Sequence, residues 1–312
     1  MLISLIVPCY NEEKSLPLLL EALKDVCGKI AGHTFEYIFV DDGSKDGTLG
    51  ILKKISEETE YAHFISFSRN FGKEAAMYAG LCAAKGELVA VMDADMQDPP
   101  SLLPEMVETL LQKEFDIVAT RRVNRKGEPK IRSFFARTFY RLINRMSDVE
   151  IVDGARDFRL MKRQVVDALL QLSERQRFSK GLFSWVGFRT HWLEFENVER
   201  IAGETKWSFW KLFKYAVEGI VSFTTVPLRL ATLTGFIVSG IAFLYMLYYV
   251  IFAIIFKTWE AAPGYPSLLA IILFLGGLIL IALGILGEYI ARTYMEVKHR
   301  PIFLVREKDN NP

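Results

Sequence analysis

The chain has 312 residues, a formal net charge of +1, 51% hydrophobic residues and a mean hydropathy of +0.20. So small a basic excess argues against a dedicated nucleic-acid binder, which needs cations to neutralise phosphates. The hydropathy is high for a soluble protein, and most of the excess sits after Thr225.

The first half alternates strand and helix patterns. Residues 2–7 form a continuous apolar run, as a parallel strand buried on both faces requires. Residues 15–26 then place Leu16, Leu19, Leu20 and Leu23 on one side of a helix. The alternation continues with strands over 35–40, 62–66, 88–92 and 116–120 and helices over 48–58, 73–84 and 102–113. This predicts a doubly wound, Rossmann-like α/β domain with helices on both faces of the sheet. The N-terminal run is too short for a signal peptide and lacks a basic segment before it, so the first domain is expected to stay on the side of synthesis. Cys9, Cys27 and Cys82 form no CxxC pair and read as reduced, buried thiols. The four histidines show no zinc spacing.

Three polar clusters, at residues 8–13, 41–44 and 93–98, each follow the carboxyl end of a predicted strand. Open α/β sheets bind ligands at that edge. Residues 130–148 read differently. Phe135, Phe139, Leu142, Ile143 and Met146 share one helical face, and Arg137, Arg141 and Arg145 share the opposite one. Such a basic amphipathic helix suits an anionic membrane surface, the alternative being a helix docked on the sheet with a solvated basic face. Residues 207–223 mix Trp207, Trp210, Phe213 and Tyr215 with lysines and read as a second interfacial helix.

Residues 230–256 carry no charge, and neither do residues 261–287, of which 267–287 alone could cross a bilayer. The connection between them holds only Lys257 and Glu260, whereas Arg292, Lys298, Arg300, Arg306 and Lys308 follow the second stretch. The positive-inside bias puts both termini and the first domain in the cytoplasm. The expected division is a catalytic domain with interfacial helices over 1–228, a two-helix membrane domain over 229–291 and a cytosolic tail over 292–312, frayed from Glu307.

Asp93-Ala94-Asp95 is the strongest chemical signal. Two carboxylates at i and i+2 after a buried strand can offer oxygens to a hard cation, Mg²⁺ or Mn²⁺, that neutralises a departing diphosphate. No GxGxxG follows the first strand and no GxxxxGK[ST] occurs, which disfavours a dinucleotide dehydrogenase and a P-loop NTPase.

Six ordered motifs then carry a resemblance. They are Val7-Pro8-Cys9-Tyr10-Asn11-Glu12, Val40-Asp41-Asp42-Gly43-Ser44, Phe67-Ser68-Arg69-Asn70-Phe71-Gly72-Lys73, Asp93-Ala94-Asp95-Met96-Gln97-Asp98, Asp157-Phe158-Arg159-Leu160 and Gly203-Glu204-Thr205-Lys206-Trp207. With the two apolar stretches they make the chain similar to the inverting GT-A glycosyltransferases of family 2. Within that family it most resembles the polyprenyl-phosphate, or bactoprenol, glucosyltransferase branch, with dolichol-phosphate mannose synthases more distant. The resemblance implies an integral membrane enzyme at the cytoplasmic face of the cell membrane. It would move glucose from UDP-glucose to undecaprenyl phosphate with inversion. GDP-mannose, UDP-GlcNAc or UDP-aminoarabinose are alternative donors, and relatives can assemble as tetramers.

The resemblance also implies roles. Pro8, Tyr10, Asn11, Glu12, Asp42, Arg69, Lys73 and Asp93 would bind the nucleotide sugar, and Asp95, Gln97 and Asp93 the metal. Asp157 matches the position of a catalytic base, although Arg156 before it stands where a small residue is common in relatives. Arg200 and Lys206 match basic positions that hold phosphates, and Asp95 joins these three as catalytic. Arg121, Arg122, Arg132, Arg137 and Arg141 are candidates to draw in the lipid phosphate. A phosphate monoester is largely anionic at neutral pH, so such an acceptor needs positioning and charge screening more than a base. Metal and cations therefore rank above Asp157. Two rivals stand beside this reading. A processive polysaccharide synthase would carry Gln-x-x-Arg-Trp where this chain has Arg175-Gln176-Arg177-Phe178, and a non-catalytic membrane scaffold would not need the intact carboxylates.

Overall fold

A computed structural model describes residues 1–112, 114–123, 144–145, 152–172, 174–196, 221, 224–256 and 265–309. The two interfacial helices read from the sequence, about 132–147 and 207–223, fall almost wholly outside the described residues. So do Arg132, Arg137, Arg141, Arg200 and Lys206. The chain forms two compact units, Met1–Gly219 with His299–Pro312, and Ile220–Lys298.

In the first unit the elements run β1 (Leu2–Cys9), α1 (Leu16–Gly28), β2 (Thr34–Asp41), α2 (Thr48–Glu58), β3 (Ala62–Phe67), α3 (Lys73–Ala83) and β4 (Leu88–Val91). A single 3₁₀ turn, Pro100–Leu102, leads into α4 (Leu103–Gln112). Then follow β5 (Ile117–Arg122), β6 (Ala155–Lys162), α5 (Arg163–Gln171), α6 (Ser179–Trp185) and β7 (Thr190–Phe195). After the second unit the chain returns as β8 (Val305–Lys308).

The eight strands form one sheet in the order β7-β5-β6-β4-β1-β2-β3-β8. β3, β2, β1 and β4 are parallel, as continuous apolar runs predict. Ile3, Leu5, Val7 and Cys9 of β1 join Leu16, Leu19 and Leu23 of α1, Leu52 of α2 and Met106 of α4 in one core face. α3 covers the other face, where Gly80 leaves room for Ile6 of β1. The doubly wound expectation holds here.

β6 departs from it. It lies antiparallel between β4 and β5 and so brings residues 155–159 alongside the carboxyl end of β4. The sequence pattern hid this strand because Arg156, Asp157, Arg159 and Lys162 break its apolar run.

The tail also departs from expectation. Instead of fraying from Glu307, β8 pairs antiparallel with β3, with Ile65 opposite Lys308 and Ser66 opposite Glu307. Phe303 stacks on Phe67 at 4.9 Å between ring centroids, Ser68 N–H donates to the Leu304 carbonyl at 2.9 Å, and Asp309 lies 2.7 Å from His63 Nδ1. The edge of β3 is thus covered. The expectation of buried thiols holds for Cys9 and Cys27 and fails for Cys82, which is exposed.

The second unit contains α7 (Val226–Phe256) and α8 (Tyr265–Val297), of 31 and 33 residues. Each exceeds the roughly 20 residues that cross a bilayer core. The apolar stretches Val226–Tyr245 and Ile271–Val297 are not buried within the structure. By length and composition both helices are apolar enough to cross a membrane.

The strand pairing of the tail can be measured. Truncation after His299 is expected to speed amide exchange at Ile65–Phe67 at least tenfold while leaving the amides of β1 unchanged. Equal protection in the truncated and full-length chains would show that β8 does not hold this edge.

Candidate active site

The three polar clusters meet at the carboxyl end of the parallel strands. The first two interlock through their backbones. Asn11, in the left-handed region at φ 57°, donates its N–H to Ser44 Oγ at 2.9 Å and accepts the Lys45 N–H at 2.8 Å through Oδ1. Glu12 N–H donates to Thr48 Oγ1 at 2.8 Å, and its carboxylate accepts the Ser15 hydroxyl. Pro8 lies within β1, and Tyr10 is exposed beside this join.

Asp41 and Asp42 are both buried. Asp41 accepts the Ser44 N–H and the Ser66 hydroxyl. Asp42 accepts the N–H groups of Phe71 at 2.6 Å and Gly72 at 2.9 Å, and so shapes the turn that leads to Lys73. Burial pushes the Asp42 carboxyl up to about 6, against these hydrogen bonds. Gly43 is required here, because at φ +67° a Cβ would stand 2.5 Å from the Arg69 carbonyl carbon. Arg69 itself lies over the Phe71 ring.

Lys73, the first residue of α3, reaches the third cluster and β6. Its ammonium lies 2.5 Å from Asp93 Oδ1 and also pairs with Asp157 Oδ2. The first aspartate of the DxD and the candidate base are therefore bridged by one cation. Burial opposes the lysine's charge, but Asp157 and Asp93 outweigh it and hold the ammonium above its ordinary value. Burial likewise raises Asp157, yet Lys73, Lys180 and Arg159 overcome it and hold this carboxyl well below the usual carboxylate range. Arg159 is buried with its guanidinium over the Phe183 ring at 3.5 Å, and it donates to the backbone carbonyl of Arg156 at 2.8 Å.

After β4 the chain turns through Asp95, whose Oδ1 accepts the Gln97 N–H at 3.1 Å, with Met96 at φ 60°. Asp98 at the end of the turn is fully buried. Arg156 donates to Asp98 Oδ1 through Nε at 2.7 Å, and its Nη2 lies 3.4 Å from Gln97 Oε1 and 3.9 Å from Asp93 Oδ2. Burial pushes Asp98 up to about 6 against the pull of Arg156.

Among the described residues no three carboxylate, histidine or cysteine side chains converge as a closed metal cage. The donor chemistry still fits a hard divalent ion. Asp95 and Gln97 offer oxygens on one turn, and such ions commonly take one or two carboxylates and complete their shell with substrate phosphates and water. Asp93 is less suited than the sequence suggested, since the Lys73 ammonium already pairs with it at 2.5 Å.

Of the remaining candidates, Arg121 pairs with Glu194 on the neighbouring strand, and Arg122 ends β5, its N–H donating to the Gly154 carbonyl at 2.9 Å.

Sequence reasoning passed over Glu74. It accepts the Ser179 N–H at 3.0 Å and the Ser179 hydroxyl, tying the start of α6, with Lys180, to the residue after Lys73. Burial pushes Glu74 up to about 7. Only its place directly after Lys73 hinted at a role.

The family profile for glycosyl transferase family 2 matches residues 4–170. The chain belongs to this family. It is a glycosyltransferase, and its mixed sheet is that of the GT-A fold. It is 42% identical to the prophage bactoprenol glucosyl transferase homolog of Escherichia coli (strain K12), over 98% of this chain and 99% of that protein. It is 41% identical to the bactoprenol glucosyl transferase of Shigella phage SfV, over 99% of each. Among solved structures, the glucosyl-3-phosphoglycerate synthase of Mycobacterium tuberculosis superposes with a TM-score of 0.46 at 19% identity. It covers 70% of this chain and 77% of that one, a likeness too remote to inform the site.

Glu74 generates a pH prediction. Its folded pKa of about 7 exceeds the ordinary 4.5, so the stability it contributes is present below about pH 4.5 and lost as pH rises through 7. Glu74→Gln should therefore melt closer to the wild type, or below it, at pH 5 and gain on it at pH 8. A melting difference that does not change between those pH values would show that Glu74 ionises normally.

Proposed function

We propose that this glycosyltransferase moves a hexose from a nucleotide sugar, UDP-glucose, to polyprenyl phosphate with inversion, at the cytoplasmic face of a membrane that α7 and α8 cross. The names of the relatives support the lipid acceptor and glucose. The two long apolar helices support the membrane setting. One observation carries the chemistry: Lys73 held between Asp93 and Asp157.

A phosphate acceptor has a second pKa of about 6, so its attacking oxygen already bears charge at neutral pH. That oxygen attacks the anomeric carbon from the face opposite the nucleotide. The new phosphate–sugar bond forms as the bond to the diphosphate breaks, and the nucleoside diphosphate leaves with the electron pair. No proton has to be removed. Two anions must nonetheless approach one another, and fixed cations in a partly buried site lower that barrier.

In this reading Asp157 is a positioning residue. Paired with a lysine and held below the usual carboxylate range, it is a poor base but a good anchor for the ammonium. Lys73 is the cation presented to phosphate. Asp95 and Gln97 would hold Mg²⁺ or Mn²⁺, which when bound neutralises charge on the departing diphosphate. Pro8, Tyr10, Asn11 and Glu12 line the base and ribose side. Arg200 and Lys206 are carried as further phosphate cations on the resemblance alone.

The substrate reading is tested by offering undecaprenyl phosphate with a panel of UDP- and GDP-sugars to the purified enzyme. A glucolipid from UDP-glucose is expected, and a product formed only from another donor overturns the choice of glucose. Asp95→Ala is expected to reduce turnover by at least a thousandfold, and activity retained with undiminished metal dependence would remove Asp95 from the cation site. For Asp157→Asn the rate should drop without a change in the shape of the pH profile. Loss of an acidic limb distinct from that of the acceptor phosphate would make Asp157 a true base.

A further inference from the structure

We propose that Arg156 is a positioning residue that fixes the turn carrying Asp95 and Gln97 in the form a divalent cation needs, before the donor arrives. The proposal rests on the reading of that turn as the cation site.

The geometry places one guanidinium against three residues of a single turn. From β6, the antiparallel neighbour of β4, Arg156 reaches Asp98 at 2.7 Å, Gln97 at 3.4 Å and Asp93 at 3.9 Å. Asp98 is the anchor point. Its side chain is wholly buried, and Oδ2 has no hydrogen-bond partner among the described residues, so Arg156 provides its charge compensation. A buried carboxylate that loses its counterion is strongly destabilised where it stands. The turn also needs restraint, because Met96 adopts a left-handed conformation that is unfavourable for a residue with a Cβ. A planar guanidinium offers five donors in a fixed fork that sets the geometry of its acceptors, whereas a lysine ammonium is a flexible point charge.

The opposite effect is conceivable on charge alone, since a guanidinium close to the turn repels a metal. That repulsion is largely cancelled. Arg156 is paired with Asp98 at 2.7 Å, and Asp93 and Asp95 also act on it, so much of its charge is already compensated. What remains is orientation of the ligands, and residues that orient metal ligands typically change affinity by about 10- to 100-fold when removed.

The experiment is a titration of the full-length, detergent-solubilised enzyme with Mn²⁺ alone, read by the electron paramagnetic resonance of free Mn²⁺. Arg156→Ala is expected to weaken binding about tenfold. Arg156→Lys should stay weakened, because a point charge cannot span Asp98 and Gln97 together. Melting curves identify which variants remain folded, and Arg156→Lys serves if the alanine variant does not. Unchanged or tighter Mn²⁺ binding in a folded variant overturns the proposal. A wild-type enzyme that binds no Mn²⁺ would instead overturn the reading of the turn as a cation site, so the two failures are told apart.

Discussion

Lys73 stands between two carboxylates that arrive on different strands. Asp93 follows β4, Asp157 lies on β6, and without a cation between them their charges would repel across the end of the sheet. Much of the site follows from this one bridge. It requires α3 to begin close to both strands, which Asp42 secures by taking the amides of Phe71 and Gly72. It also fixes what Asp157 can do, since a carboxylate that shares a proton-rich ammonium is better suited to holding charge than to accepting a proton.

The bridge belongs to a longer chain of alternating charge: Asp157, Lys73, Asp93, Arg156, Asp98. Each member compensates the next, which is how several charges can be kept at a partly buried position. For the proposed transfer between two phosphate-bearing substrates, such an array has a clear use. Its cations are already placed, so little reorganisation is needed when anions enter.

The parallel half of the sheet was readable because strands buried on both faces appear as unbroken apolar runs, as in β1, β2 and β4. β6 was not readable, for it carries the charges that serve the site, and function overrode its strand pattern. β8 was missed for another reason. Val305–Lys308 is short and mostly charged, as an edge strand can be, and only the apolar edge of β3 reveals its place. Within the site, the carboxylates were legible as motifs. Their partners were not. Lys73 was read as a nucleotide-binding residue from its motif, and its pairing with Asp93 and Asp157 depends on contacts between distant parts of the chain. The same holds for Arg156 and Asp98, which are 58 residues apart.

The order of the strands along the chain has a consequence for synthesis. β3 is made early, but the strand that covers its edge follows both apolar helices in the chain. A ribosome must therefore deliver α7 and α8 before the sheet can be finished. Until then the nascent domain exposes an open edge of the kind that invites wrong pairing. Completion of the enzyme is thereby postponed until its two long apolar helices have emerged, and a chain that stalls before them is left with an unsealed sheet.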